Sequence, residues 1–331
     1  MTTNYDSFQN STDDDVVLKV DCLKQHFSSG YGKKKVVVKA VDGISFQIKK
    51  GETYGLVGES GCGKTTTGRS IIRLYKPTGG NVWFNGELIS GNLTSEQKLR
   101  VTQGIQMIFQ DPISSLNPRM TVKEIIGEGM IINKLVKSDE ELTQKVIEML
   151  RIVGLSDDHI SRYPHEFSGG QRQRIGIARV LISNPSLIIA DEPISALDVS
   201  IQAQVLNLLN DLKKKMGLTL LFIAHDLSVV KYFSDYVGVM YNGKIVECGK
   251  PGTIFANPLH PYTKALISAI PIPDPAFERG RTYLSYDGSR FGCAPGNYDL
   301  RLISDDHFVY GTEEEHQEFL AEYEARKDLI K

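Results

Sequence analysis

Runs of consecutive apolar residues alternate along the chain with segments in which apolar residues recur every three or four positions. Leu187–Ala190 is wholly apolar and Thr219–Ala224 almost so, and short continuous runs of this kind predict strands that are buried on both faces. The helical spacing occurs in two stripes, Leu142, Val146, Leu150 and Val153, and Ile201, Val205, Leu208, Leu209 and Leu212. Because buried strands that alternate with helices usually form a parallel sheet covered by helices, the pattern predicts an α/β fold.

The distribution of polar residues and prolines divides the chain into three regions. Residues 1–15 are polar and end in three aspartates, which predicts a disordered arm. Residues 16–250 carry the alternation of strands and helices and form the predicted main domain, which is mostly helical from about residue 111 to residue 183. Residues 251–331 form a predicted C-terminal extension, which is interrupted by Pro251, Pro258, Pro261, Pro271, Pro273 and Pro275.

The composition is ordinary for a globular protein, because 41% of the 331 residues are hydrophobic and 24% are charged. These proportions exclude global disorder and a coiled coil. A formal net charge of −2 provides no positive excess for nucleic acid. No apolar run reaches the ~20 residues that span a bilayer. The cysteines lie too far apart in sequence for a CxxC zinc site or a disulfide framework, at Cys22, Cys62, Cys248 and Cys293. We therefore expect a cytosolic chain that meets a membrane only through a partner.

A glycine-rich segment follows the strand-like run Thr53–Val57 and precedes a predicted helix. It matches the phosphate-loop pattern GxxxxGK[ST] in full, with Gly58, Glu59, Ser60, Gly61, Cys62, Gly63, Lys64 and Thr65. In such a loop, backbone N–H groups and a helix N-terminus surround a phosphate. We expect Lys64 to reach the β- and γ-phosphates, Thr65 to bind Mg²⁺ and Thr66 to contact the α-phosphate. The motif predicts a nucleoside triphosphate as ligand, which many classes of enzyme share.

Two acidic residues, Asp191 and Glu192, directly follow the predicted strand Leu187–Ala190. From the carboxyl end of a strand, Asp191 can hold Mg²⁺ through water, and Glu192 can polarise a water molecule that attacks a phosphate. An acid at the end of a buried strand is costly unless it has a partner. The pair therefore predicts a magnesium-dependent hydrolytic site beside the phosphate loop.

The segment from Phe167 to Gln171 provides a second pattern that suits an anion, because Ser168 and two glycines open a predicted helix. Here the sequence resembles the ATP-binding cassette (ABC) ATPases, whose signature is LSGGQ, with Phe167 in place of the leucine. The resemblance implies an α/β P-loop ABC ATPase with a RecA-like parallel sheet core, an antiparallel β subdomain and a helical subdomain, followed by the C-terminal appendage. It also implies a head-to-tail dimer, in which ATP contacts the phosphate loop of one subunit and the partner's signature, Ser168, Gly169, Gly170 and Gln171.

The same resemblance implies roles for residues in other motifs. Gln110 resembles the Q-loop glutamine that senses Mg²⁺, and His225 resembles the switch histidine that contacts the γ-phosphate. The D-loop, which closes the dimer, corresponds to Ser195, Ala196, Leu197 and Asp198. The implied catalytic set is Glu192, His225, Lys64 and Gln110, and the implied Mg²⁺ set is Thr65, Gln110 and Asp191. For the aromatic residue that stacks on adenine, Phe27 and Tyr31 both remain candidates, and Phe27 is placed in the nucleotide-binding set.

Three segments narrow the resemblance to the ATPases of oligopeptide and dipeptide importers, and within them to the OppF-like subunits. These segments are Gln110–Met120, Tyr163–Glu166 and Asn257–Leu266. The resemblance implies an OppD-like homologous ATPase partner, two membrane permeases (OppB- and OppC-like) and, indirectly, an extracellular OppA-like peptide-binding protein. It places the chain peripherally on the cytoplasmic face of the cell membrane. The expected function is to hydrolyse ATP and thereby energise oligopeptide uptake.

Other interpretations remain open at this point. Many members of this group bind an iron–sulfur cluster through cysteines in the extension, but Cys293 is the only cysteine after residue 250, so no cluster is predicted. The same machinery could import nickel, a dipeptide or a glutathione-like solute. A soluble ABC machine of DNA repair or translation is disfavoured, because the 127 residues from Lys64 to Asp191 leave no room for a coiled-coil arm. A small-molecule P-loop kinase is also disfavoured, because such an enzyme would not need the signature segment from Ser168 to Gln171.

Overall fold

The computed structural model describes residues 15–30, 36–111, 114–270, 283–288, 297–304 and 306–327. Most of the predicted arm, together with Tyr31 and Cys293, lies outside these residues. In chain order the strands are β1 (Val16–Ser29), β2 (Val36–Lys49), β3 (Thr53–Val57), β4 (Gly79–Phe84), β5 (Glu87–Leu88), β6 (Ile105–Ile108), β7 (Leu187–Asp191), β8 (Leu220–Ala224), β9 (Tyr236–Tyr241), β10 (Lys244–Gly249), β11 (Asp299–Ser304) and β12 (His307–Gly311).

The helices alternate with these strands, as the apolar pattern predicts. They are α1 (Lys64–Ile71), α2 (Ser95–Gly104), α3 (Val122–Ile132), α4 (Asp139–Ile152), α5 (Gly169–Leu181), α6 (Val199–Met216), α7 (Leu227–Phe233), α8 (Pro251–Ala256), α9 (Pro261–Ser268) and α10 (Glu313–Lys327), with 3₁₀ turns at Asp157–Ser161 and Pro164–Glu166. Local signals set their ends: α6 begins after Asp198, whose carboxylate accepts the N–H of Ile201, and it ends at Gly217, which has a φ of 63°. No helix in the described ranges combines the length and apolarity needed to cross a bilayer.

The strands of the described residues form two sheets. The smaller sheet is antiparallel and has the order β2-β1-β4-β5. The larger sheet has the order β11-β12-β10-β9-β3-β8-β7-β6, and its strands β9, β3, β8, β7 and β6 run parallel. β9 turns back into β10 through Asn242 and Gly243, whose φ values of 45° and 81° suit a tight hairpin. The predicted α/β fold with an antiparallel β subdomain is therefore confirmed.

The apolar runs of the central strands are buried on both faces of the larger sheet. Along β7, Leu187 and Ile189 belong to the cluster beneath the smaller sheet, whereas Ile188 and Ala190 belong to the cluster beneath the helices α3 to α6. All four side chains are at most 1% exposed. The alternation explains why this strand contains no polar residue until its last position, Asp191.

The C-terminal extension is joined to the larger sheet. Its strand β12 pairs with β10 through Phe308 and Val309, and β11 pairs with β12 in turn. The helix α10 starts at a capping box, in which Glu315 N–H donates to Thr312 Oγ1 at 3.2 Å and Thr312 N–H donates to Glu315 Oε2 at 2.8 Å. The extension thus packs against the main domain by continuing its hydrogen-bonded sheet.

Candidate active site

The loop between β3 and α1 owes its shape to two glycines. Gly63 has a φ of 115°, and a Cβ added to it would lie 2.1 Å from the carbonyl oxygen of Ala40. A Cβ on Gly58 would lie 2.1 Å from the carbonyl oxygen of Met240. Neither position can carry a side chain unless the neighbouring backbone moves. The first N–H groups of α1 have no helical partner and no side-chain cap, so this end of the helix is suited to an anion.

The Lys64 side chain lies at the floor of this loop and is only 4% exposed. Its Nζ donates hydrogen bonds to the carbonyl oxygens of Gly58 at 2.7 Å and Glu59 at 2.9 Å. The same Nζ lies 4.0 Å from Glu192 Oε1. The third donor of the ammonium group makes only a long contact with Cys62 Sγ at 3.8 Å, a weak acceptor that a phosphate oxygen above the loop would replace.

Asp191 and Thr65 lie at the inner edge of the loop and suit a divalent cation. Thr65 Oγ1 donates to Asp191 Oδ1 at 2.8 Å, whereas Asp191 Oδ2 is buried and has no hydrogen-bond partner among the described residues. Burial raises the pKa of Asp191, and the Thr65 hydroxyl opposes this only in part. A cation beside the unbonded oxygen would offset the cost of burying this carboxylate. These hard oxygen donors fit Mg²⁺.

Glu192 is turned into the same space by an uncommon backbone conformation. Its φ of 45° is rare for a residue with a side chain. Its N–H donates to Ile223 at 2.9 Å and its carbonyl oxygen accepts the N–H and hydroxyl of Ser195 at 3.2 and 3.1 Å. The turn directs the carboxylate to two side chains, Gln110 and His225. Oε2 accepts Gln110 Nε2 at 3.2 Å and lies 3.1 Å from His225 Nδ1.

These groups line one open cleft of about 220 Å³. Its walls are Ala40, Ser60, Gly61, Gly63, Lys64, Thr65, Thr66, Gln110, Glu192 and His225. Asp191 borders it through its bond to Thr65. Phe27 is not part of the lining: its ring is 39% exposed and makes an edge contact with Tyr75, with the ring centroids 5.3 Å apart. The adenine-stacking role of Phe27 therefore remains a prediction.

The signature segment does not line this cleft. Ser168 caps α5, because its hydroxyl accepts Gln171 N–H at 3.4 Å and Gln171 Oε1 accepts Ser168 N–H at 3.0 Å. Ser168 and Gly169 are exposed. A Cβ on Gly169 would lie 3.4 Å from Leu197 of the D-loop segment. The described residues therefore present a second helix N-terminus that does not share a pocket with Lys64.

Two hydrogen bonds that support the phosphate loop were not predicted from the sequence. Glu59 N–H donates to the hydroxyl of Tyr262 at 3.0 Å, and Gly243 N–H donates to the Cys62 carbonyl at 2.9 Å. Gly243 belongs to an Asn-Gly pair that signals a hairpin. Tyr262 belongs to the segment Asn257–Leu266, which the sequence singles out without indicating what it contacts.

Replacing Asp191 with Asn should weaken Mg²⁺ binding, and so raise the Mg²⁺ concentration that hydrolysis needs, without abolishing the fold. The amide keeps the size of the side chain and an oxygen for Thr65, but it removes the charge that would balance the cation. We expect about a 10–100-fold loss of ATP hydrolysis at limiting Mg²⁺, measured as rate against Mg²⁺ concentration. Asp211→Asn, on the exposed side of α6, is the matched control. An unchanged Mg²⁺ dependence in Asp191→Asn would contradict the assignment.

Sequence comparisons relate the chain to known protein families. The profile of the family described as ABC transporter matches residues 41–195, and that of the oligopeptide/dipeptide transporter C-terminal region matches residues 246–294. The oligopeptide transport ATP-binding protein OppF of Bacillus subtilis is 58% identical over 92% of this chain and 98% of its own length. The dipeptide transport ATP-binding protein DppF of Lactococcus lactis is 52% identical over 90% of this chain and 95% of its own.

Among solved structures, this chain is similar to a dimeric, post-hydrolysis state of the ATP-binding cassette MJ0796 bound to ADP and Pi. The TM-score is 0.63 at 28% identity, over 71% of this chain and 98% of that one.

Proposed function

The chain belongs to the ATP-binding subunits of ABC transporters of the oligopeptide and dipeptide type, and from this premise we propose that it hydrolyses ATP to drive the import of oligopeptides. The observation that carries the proposal is the position of Glu192. Its carboxylate lies beside Gln110, His225 and Lys64, at the edge of a loop built for phosphate. No other acid lines this cleft within the described residues.

The proposed reaction is in-line attack of water on the γ-phosphate. The loop N–H groups and Lys64 hold the phosphates, and Glu192 orients the water and accepts its proton. His225 and Gln110, both in contact with the Glu192 carboxylate, hold it in position and meet the γ-phosphate side of the cleft. Mg²⁺, when bound by Thr65, Asp191 and Gln110, would neutralise charge on the phosphate oxygens. Catalysis is then mainly positioning and charge stabilisation.

A complete site is proposed to need a second ATPase subunit. Ser168 is exposed and does not line the cleft that contains Lys64, so we propose that it contacts a nucleotide across an interface. Its partner would be an OppD-like homologue in a head-to-tail dimer. The dimeric state of the MJ0796 cassette, which is bound to ADP and Pi, supports this arrangement.

The membrane partners are proposed to dock on the helical part of the chain. Near the end of α3, Ile131, Ile132 and Leu135 are 55%, 69% and 39% exposed, an apolar surface that suits a protein contact. We assign this surface and the Gln110 segment to the OppB- and OppC-like permeases. An OppA-like binding protein would deliver the peptide on the far side. The chain would then lie peripherally on the cytoplasmic face of the membrane.

Nickel and glutathione-like solutes are not favoured as substrates. The OppF and DppF relatives are named for oligopeptide and dipeptide transport, at 58% and 52% identity. The predicted absence of an iron–sulfur cluster rests on Cys293 and remains a prediction, because Cys293 lies outside the described residues.

The proposal is tested by purifying the complex through a tag on this chain, after co-expression with its genomic neighbours. We expect two permeases and a second ATPase to co-purify, and ATP hydrolysis to rise several-fold when peptide-loaded binding protein is added. The matched control is the same binding protein without peptide. Stimulation of ATP hydrolysis by nickel or glutathione alone would overturn the assignment of oligopeptides as the substrate. Isolation of the chain without any permease would overturn the transporter assignment.

A further inference from the structure

The C-terminal extension makes a direct hydrogen bond to the phosphate loop. Tyr262, in the first turn of α9, is only 1% exposed, and its hydroxyl accepts the backbone N–H of Glu59 at 3.0 Å. The Glu59 carbonyl oxygen accepts Lys64 Nζ at 2.9 Å and Cys62 N–H at 3.3 Å. The two backbone groups of Glu59 are thus held from opposite sides, one by the loop itself and one by the extension.

Tyr262 is itself held by a short series of buried groups that begins in the main domain. Glu247 of β10 is fully buried, and its carboxylate accepts the N–H groups of Leu259 at 3.0 Å and His260 at 2.9 Å. His260 Nδ1 in turn accepts the N–H of Tyr262 at 3.2 Å. Burial lowers the pKa of His260 to about 4, so its ring is neutral and can accept this bond. These contacts fix the start of α9 relative to the sheet.

Aromatic packing holds the Tyr262 ring on its other sides. Its centroid lies 4.4 Å from that of Tyr241 and 5.7 Å from that of Tyr286. Tyr241 ends β9 and is followed by the turn whose Gly243 N–H donates to Cys62 at 2.9 Å. The loop is therefore supported at Glu59 by Tyr262 and at Cys62 by the turn that follows Tyr241.

We propose that Tyr262 is a positioning residue for the phosphate loop, through which the C-terminal extension sets the affinity of the site for ATP. The extension then has a role in the nucleotide site besides any contact with a partner. A loop without this support would adopt the conformation that binds ATP for only part of the time. Part of the binding free energy would then be spent on ordering the loop, and the affinity for ATP would fall. The inference rests on the proposed ATPase function.

The test is Tyr262→Phe, which removes one hydroxyl and keeps the ring. We expect the KM for ATP to rise about threefold to tenfold, as for a single lost hydrogen bond, while kcat stays within about twofold, because bound phosphates hold the loop in place. Backbone hydrogen exchange of residues 58–63 should accelerate in the absence of nucleotide, and saturating ATP should restore its protection. Tyr286→Phe, in the same cluster but without a bond to the loop, is the matched control.

Two results would overturn the positioning role. One is that Tyr262→Phe changes neither the KM for ATP nor the hydrogen exchange of the loop, while the wild-type chain binds and hydrolyses ATP. The other is a parallel fall of kcat, ATP affinity and thermal stability, which would mean that the hydroxyl serves only the fold. Failure of the wild-type chain to bind ATP would instead overturn the proposed function, and direct titration with a fluorescent ATP analogue separates that case.

Discussion

Replacing Glu192 with Gln should lower kcat for ATP hydrolysis by about 10²–10⁴-fold, the range expected when a general base is removed. Gln has the same size and retains an oxygen that can accept the Gln110 amide, so the cleft should keep its shape. It cannot take a proton from water. Because Lys64 and the loop N–H groups remain, ATP should still bind, and the proposed dimer should accumulate in its ATP-bound state.

The measurement is single-turnover hydrolysis together with ATP titration and size-exclusion chromatography. Glu318→Gln, an exposed position on α10, controls for the loss of a carboxylate elsewhere. Near-wild-type turnover in Glu192→Gln would mean that another group activates the water. Loss of ATP binding would mean that Glu192 supports the loop rather than the chemistry.

Replacing Glu247 with Ala should produce a large loss of stability although the residue lies outside the active site. The change leaves two buried N–H groups and His307, whose Nε2 lies 2.7 Å from Glu247 Oε1, without their acceptor. Each buried polar group that is left without its partner costs about 1–3 kcal/mol of unfolding free energy. Glu247→Gln keeps one acceptor oxygen and should lose less.

Chemical denaturation and hydrogen exchange would measure this effect. Exchange should rise first in residues 257–262 and 307–311, which the carboxylate ties to β10. Asp139→Ala is a suitable control, because Asp139 is 76% exposed in its ion pair with Lys123 and such pairs contribute about 1 kcal/mol or less. Equal destabilisation by the two substitutions would contradict a central role for Glu247 in docking the extension.

The positions of the main residues of the cleft could be predicted from the sequence, because each lies in a recognisable motif and the topology of a parallel sheet brings those motifs together. Lys64, Asp191 and His225 each come at or shortly after the end of a strand-like run, and the carboxyl ends of neighbouring parallel strands meet at one edge of a sheet. Residues more than 100 positions apart can therefore be placed together from the amino-acid pattern alone. The catalytic roles assigned to them remain predictions until the variants are measured.

The contacts of the extension could not be predicted in this way. Tyr262 and Glu59 are 203 positions apart, and a single hydrogen bond between a side chain and a distant N–H leaves no periodic pattern. The antiparallel pairing of β10 with β12 depends likewise on how the extension folds back. Phe27 shows a different limit: the family resemblance implies a contact with adenine, but the residue lies within β1 and its ring packs against Tyr75, so that role stays a prediction.

The central claim is that ATP hydrolysis at this site drives peptide uptake. Its most direct test is accumulation of a labelled oligopeptide in proteoliposomes that contain the whole complex, with ATP on the side of the ATPases and binding protein on the other. The account predicts ATP-dependent accumulation with the wild-type chain and none with Glu192→Gln. Accumulation that is unchanged by Glu192→Gln, or ATP hydrolysis without any movement of peptide, would contradict it.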